Sequence, residues 1–219
     1  MQITDYELNE KIHAIIINPY LSLEDFNNNC NLIKKYNIKN ISTTLNFIKY
    51  LRSTFPNNEL KINSLLSYPF ADLPSNFIKE FISYIKDSGA NGIEFVPDFL
   101  KLSRNNLDEF GEDLEEISKA DLPIRIIINN KLLEEKKFIT ALNISLEIGI
   151  NKFQIGDGFG SAINPTEINQ ISSIIPSKNS IKIVGRIKSL SQVIEILNEG
   201  FEGVGTSNFY EIFQELRPL

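Results

Sequence analysis

Lys182 stands inside an apolar run, Ile181-Lys182-Ile183-Val184, and Glu94 inside another, Ile93-Glu94-Phe95-Val96. An amine or a carboxylate among large apolar side chains is costly unless it is paired, hydrogen-bonded or neutral. In extended backbone, alternate residues share a face: Lys182 lies with Val184 and Arg186, opposite Ile181 and Ile183, and Glu94 with Val96, opposite Ile93 and Phe95. A Lys and a carboxylate in one interior make either a proton-transfer pair or an inert structural ion pair. Spacing does not choose between the two. Burial alone lowers the pKa of an amine, whereas a neighbouring carboxylate keeps it charged and therefore a poor nucleophile. Lys182 is expected to be buried, with Glu94 as its partner.

A second chemistry is written in Gly203-Val204-Gly205-Thr206-Ser207-Asn208, a short strand running straight into an amphipathic stretch. Backbone N–H groups at such a helix start, with the positive end of the helix, form an anion cradle, and the hydroxyls of Thr206 and Ser207 are candidate donors. An ordinary N-cap would need only one of these residues and no glycine. Gly185 and Arg186 follow the preceding strand, so a phosphate or sulfate is expected at Gly185, Arg186, Gly205, Thr206, Ser207 and Asn208.

The elements that must position these residues repeat. Short β-branched runs alternate with amphipathic stretches at a spacing of roughly 25 residues, the pattern of strand-helix units in a parallel sheet. After a lead-in helix at Tyr6–Lys11, the predicted units are His13–Ile17 with Ser22–Tyr36, Asn40–Thr44 with Asn46–Phe55, Lys61–Ser67 with Pro74–Ser88, and Gly92–Val96 with Asn105–Lys119. Then follow Ile124–Ile128 with Glu134–Ile148, Lys152–Ile155 with Pro165–Ile175 behind an Asn164 cap, Ile181–Val184 with Leu190–Asn198, and Gly203–Thr206 with Phe209–Leu216. Runs such as Ile124–Ile128, apolar on both faces but for Arg125, suit strands covered outside and packed within. Eight such units predict a single (β/α)8 TIM barrel over residues 1–219 with a short N-terminal lead-in helix. The rival, an open doubly wound sheet, should carry a phosphate fingerprint after its first strand, and none is there. In a barrel the functional residues belong at the carboxyl ends of the strands.

Composition removes several functions. The chain has 219 residues, 42% of them hydrophobic, and a formal net charge of −6, with no basic stripe to neutralise a nucleic-acid backbone. No nucleic-acid partner is expected. With one His (His13) and one Cys (Cys30), neither a disulfide nor a Cys-His nucleophile pair is credible, a zinc site would need at least two carboxylates, and Cys30 reads as core filler. No basic leader and no long apolar run appears, so the expectation is a cytoplasmic protein with no membrane partner.

At the strand tips the sequence resembles the deoxyribose-phosphate aldolase family, class I aldolases built as small (β/α)8 barrels. Gly203 to Ser207 is similar to the family's terminal Ile-Gly-Thr-Ser phosphate loop, Ile181-Lys182 with Gly185 to its Val-Lys-Ala-Ser-Gly-Gly, and Gly158-Phe159-Gly160 to the tail of its Lys-Thr-Ser-Thr-Gly-Phe-Gly. Leu65 to Phe70, with Tyr68-Pro69, is like its Ile-Gly-Phe-Pro-Leu, and Ile16-Ile17-Asn18-Pro19 falls where it has Leu-Leu-Lys-Pro. The resemblance spans most of the chain in the right order. It implies a small phosphorylated sugar as partner, no cofactor and no metal, and it leaves a homodimer open.

The departures fall on the reacting residues. The family joins acetaldehyde to a sixth-strand lysine, assisted by a seventh-strand lysine and a fourth-strand aspartate. Here Gln154 falls at the Schiff-base position, Lys182 at the assisting one, and Glu94 at the aspartate; His13 replaces a first-strand acid and Arg186 a seventh-loop glycine. An amide forms no imine. Lys152 lies two residues before Gln154 on the same face, about 6.6 Å towards the strand's start, and reads as a solvated residue at the barrel bottom. The family's tyrosine-bearing C-terminal tail is expected to be missing, since the sequence stops at Arg217-Pro218-Leu219. Three functions remain open: an aldolase-like protein acting on a sugar phosphate, with chemistry weakened or moved to Lys182; a non-catalytic phosphometabolite-binding or scaffold barrel; and another barrel enzyme using Glu94 with Asp157 or Lys182.

Overall fold

The computed structural model describes residues 3–56, 59–159, 165–175 and 177–217. The chain opens on a helix, α1 (Asp5–Lys11), whose N-terminus is closed by a reciprocal box in which Thr4 Oγ1 accepts from Glu7 N and Glu7 Oε2 accepts from Thr4 N. Eight parallel strands follow: β1 (Ile12–Ile16), β2 (Asn40–Thr43), β3 (Lys61–Leu66), β4 (Gly92–Phe95), β5 (Ile124–Ile128), β6 (Lys152–Ile155), β7 (Ile181–Val184) and β8 (Gly203–Thr206). They pair in sequence order, and β8 pairs back with β1 to close the barrel. This is the (β/α)8 TIM barrel with a short N-terminal helix that the repeat predicted.

The helices are α2 (Leu23–Tyr36), α3 (Ile48–Thr54), α4 (Ile78–Asp87), α5 (Phe99–Ser103), α6 (Leu107–Ser118), α7 (Glu135–Glu147), α8 (Pro165–Ile174), α9 (Leu190–Asn198) and α10 (Phe209–Leu216). Two differences from the sequence reading have local causes. The helices after β2 and β3 begin as single 3-10 turns, Leu45–Phe47 and Ser75–Phe77, so the α-helical portions start later than expected. The short α5 was not anticipated; its signal was Asp98, whose carboxylate caps it by accepting from Leu100 N at 2.9 Å. The Asn164 cap expected before α8 lies outside the described residues.

The main core lies between the barrel wall and the helices. Outward residues such as Ile41, Ile62, Ile93, Ile126, Phe153 and Ile183 pack with Leu8, Ile33, Leu51, Phe110, Phe209 and Phe213, and Cys30 is buried in the same cluster. Inside, among the described residues, a small apolar group forms around Leu65, Val96 and Ile127. The barrel's interior is otherwise unusually polar: Ser42, Glu94, Arg125, Gln154 and Lys182 are all buried. Apolar packing therefore stabilises the outside of the wall, and ion pairs organise the inside.

Candidate active site at the carboxyl end of the barrel

A cavity of about 280 Å³ opens at the carboxyl ends of the strands. Ser42, Glu94 and Gln154 reach it from within the strands, Tyr68, Asp157 and Phe159 from the loops after β3 and β6, and Arg186, Lys188, Ser207 and Asn208 from those after β7 and β8.

The structure brings Lys182 and Glu94 together. Lys182 Nζ lies 2.5 Å from Glu94 Oε1 and donates to Ser42 Oγ at 2.9 Å, and the lysine is completely buried. It is not among the residues lining the cavity. Space for its stem comes from Gly205: a Cβ there would sit 2.6 Å from Val184 Cγ2, 3.2 Å from Ile15 Cδ1 and 3.7 Å from Lys182 Cδ. Any larger residue at 205 would push into the wall that seats the amine. Burial lowers the Lys182 pKa to about 8 against the opposing pull of Glu94, with Arg125 adding to the depression.

That shift fixes a pH dependence. Between about 8 and the ordinary value of 10.5 the unfolded chain holds a proton that the folded chain has released. Stability from this group therefore grows as pH rises through that window and is lost as pH falls through about 8. Urea unfolding near pH 7 and near pH 9.5 should move the difference between the unaltered chain and Lys182→Met by about 2 kcal/mol in favour of the unaltered chain at the higher pH. A difference that does not move would show that burial does not dominate this amine.

Gln154 pairs in register with Lys182 on the adjacent strand. Its Nε2 donates to Gly156 O at 2.9 Å and its side chain faces the cavity. Below the pair, towards the amino ends of the strands, Arg125 binds both oxygens of Glu202 at 2.9 Å and donates to Phe153 O at 2.8 Å, while its Nε lies 4.0 Å from Glu94 Oε1. Lys152 sits at this end, its side chain 44% exposed and 3.3 Å from Glu202. His13 is buried there, its pKa held well below the usual imidazole range by burial and by Lys182 and Arg125.

The loops after β7 and β8 meet as expected, with two corrections. Thr206 Oγ1 donates to Ile187 O at 2.7 Å and accepts from Asn208 N at 2.9 Å, so this hydroxyl ties the two loops together and is not a free donor to an anion. Gly185 is buried and does not line the cavity, although Val184 and Arg186 on either side of it do. Of the expected set Arg186, Gly205, Ser207 and Asn208 remain on the cavity wall, joined by Lys188, and none of the described ion pairs includes either cation. Arg186 holds a left-handed φ of 49°, the backbone state that favours the glycine it replaces in the resemblance.

Sequence reasoning missed Lys188, Tyr68 and Ser42 as site residues. Lys188 had a signal, since it continues the Lys182, Val184, Arg186 alternation. Tyr68 had none beyond its motif: it donates to Asp157 O at 2.5 Å, and its ring lies 5.8 Å from that of Phe159. Asp157 in turn accepts from Asn129 Nδ2 and from Phe159 N, each at 2.9 Å. Gly160 of the Gly158-Phe159-Gly160 motif is outside the described residues, as are Pro218 and Leu219. Among the described residues no group of His, Cys, Asp or Glu is arranged to hold a metal ion, and no helix is long and apolar enough to cross a membrane.

No family model matches the chain. The deoxyribose-phosphate aldolase of Mycoplasma capricolum is 23% identical over 212 residues, covering 95% of each chain. Among solved structures, an aldolase named QR15 superposes with a TM-score of 0.86 at 20% identity, covering 95% of each chain. The tetrameric deoxyribose phosphate aldolase of Aeropyrum pernix superposes with a TM-score of 0.85 at 15% identity, covering 98% of this chain and 93% of that one. Proteins named deoxyribose-phosphate aldolase thus align with this chain almost end to end, and the solved structures share its closed barrel.

Proposed function

We propose that the protein binds a small phosphorylated sugar at the carboxyl end of its barrel and that its lyase chemistry is weakened or lost. One observation carries the reading: Gln154 presents an amide to the cavity, while the amine beside it, Lys182, is sealed beneath the floor by Glu94 and Ser42. Imine formation needs a neutral amine that can reach a carbonyl carbon. A Lys182 pKa near 8 leaves a neutral fraction at neutral pH, so access, more than protonation, is what this amine lacks. Lys188 lines the mouth and is exposed, away from the floor where Gln154 sits. The aldolase names of the relatives support the sugar-phosphate class, and the altered position 154 argues against their reaction.

The anion end of the ligand belongs between Arg186, Lys188 and the Ser207 turn at the start of α10, where two cations and a helix N-terminus converge. Borohydride treatment with acetaldehyde should leave no adduct at any lysine of the unaltered chain, while titration with deoxyribose 5-phosphate should show saturable binding. A strong adduct at Lys182 or Lys152 would mean that the nucleophile has moved rather than vanished. Ser207→Asp should weaken deoxyribose 5-phosphate binding by about a hundredfold or more, because a carboxylate then faces the phosphate across a short distance. Equal affinities of the two proteins would remove this turn from the site.

A further inference from the structure

The floor of the cavity holds two carbonyl-type acceptors beside the Ser42 hydroxyl, which accepts from Lys182. Glu94 and Gln154, 1% and 2% exposed, both line it. The orientation of the Gln154 amide is fixed by its partner: Nε2 donates to the Gly156 carbonyl, which can only accept, so Oε1 is the atom left over. Neither Gln154 Oε1 nor Glu94 Oε2 has a hydrogen-bond partner among the described residues. The other oxygen of Glu94 is committed to Lys182, and the amine directs two of its hydrogens to Glu94 and Ser42. Two buried acceptors, one of them on a carboxylate, therefore wait at the end of a pocket whose mouth is cationic.

We propose that the ligand end seated on this floor carries hydroxyl hydrogens rather than a carbonyl, making the site selective for a polyol phosphate over the aldehyde or ketone phosphate of the same carbon chain. The inference rests on the phosphate-binding reading above and adds the class of ligand. A carbonyl oxygen placed here would meet Glu94 Oε2 and Gln154 Oε1 lone pair to lone pair and would leave both acceptors desolvated and unpaired. A hydroxyl satisfies one or both. Sites built to pair with a hydroxyl reject analogues lacking it because the buried polar groups are then stranded.

Ribitol 5-phosphate and ribulose 5-phosphate test this directly. The ketone cannot close a five-membered ring, because its terminal oxygen carries the phosphate, so the two probes differ at one carbon. Calorimetric titration of the unaltered protein should give an affinity for ribitol 5-phosphate at least about tenfold above that for ribulose 5-phosphate. Gln154→Met, which keeps the length and deletes the acceptor, should shrink that ratio to about threefold or less. Equal affinities, or tighter binding of the ketone, would overturn the inference, as would a full ratio in Gln154→Met. Failure of every probe to bind, inorganic phosphate included, would overturn the proposed function with it.

Discussion

Gln154→Lys is expected to form a borohydride-stable adduct with acetaldehyde at residue 154, located by mass spectrometry, where the unaltered chain forms none. The two side chains at issue are register partners on adjacent strands, and only position 154 faces the cavity. A lysine there would bring a second amine beside Lys182. Neighbouring like charges disfavour the protonated form, so one of the two would be neutral near neutral pH and able to attack. Glu94, already bonded to Lys182, would hold the charge on the buried amine and leave the newcomer as the neutral one. Removing that neighbour in Gln154→Lys/Lys182→Ala should raise the pH at which trapping begins. The full rate of an aldolase is not expected: Glu94 stands where the resemblance places the shorter aspartate, and a misplacement of about 1 Å can cost about a hundredfold. An unaltered chain that traps as well as the variant would sink the view that position 154 is what silences the chemistry.

The barrel was legible because its signal is repeated eight times and each repeat is short. β5, β6, β7 and β8, with α9 and α10, begin and end where the apolar runs place them. Lys182 and Glu94 were legible as a pair for a related reason. Both occupy the inward parity of strands that are apolar on the outward face, and a closed barrel turns such residues towards one another. The Arg125–Glu202 contact was not legible, because a bond between β5 and the turn before β8 needs the height of each residue along the barrel axis. That height follows from the strand stagger, and the stagger is a property of closure rather than of any one segment. The role of Thr206 was misread for the opposite reason. A hydroxyl at a helix start suggests an anion ligand on chemical grounds, but its two bonds go to Ile187 and Asn208, and the loops that carry them are joined only in three dimensions.

Glu94→Leu is expected to lower the stability of the protein by about 3 to 5 kcal/mol near neutral pH, and adding Lys182→Met should restore most of the loss. Removing one partner strands a buried amine whose only other described bond is to Ser42, whereas removing both replaces two charges with apolar volume in a wall already lined by Val184, Ile15 and Leu65. The sign with pH separates this from a simple packing defect. Without Glu94 the one strong influence raising the pKa of Lys182 is gone, while burial and Arg125 remain, so the pKa falls further below 8. The stranded amine then escapes most of its penalty by losing its proton, and the deficit of Glu94→Leu should shrink as pH rises from the variant's lowered pKa to about 8 and hold level above it, where Lys182 is neutral in both folded proteins. A packing defect would carry no such slope. Glu202→Gln, which breaks the separate contact to Arg125, should add to Glu94→Leu less than its own single effect, because Arg125 Nε lies 4.0 Å from the same Glu94 oxygen and residues in one network are coupled. Full additivity of the two would mean that the interior holds two independent ion pairs, and that the floor of the cavity is electrostatically isolated from the amino-terminal end of the barrel.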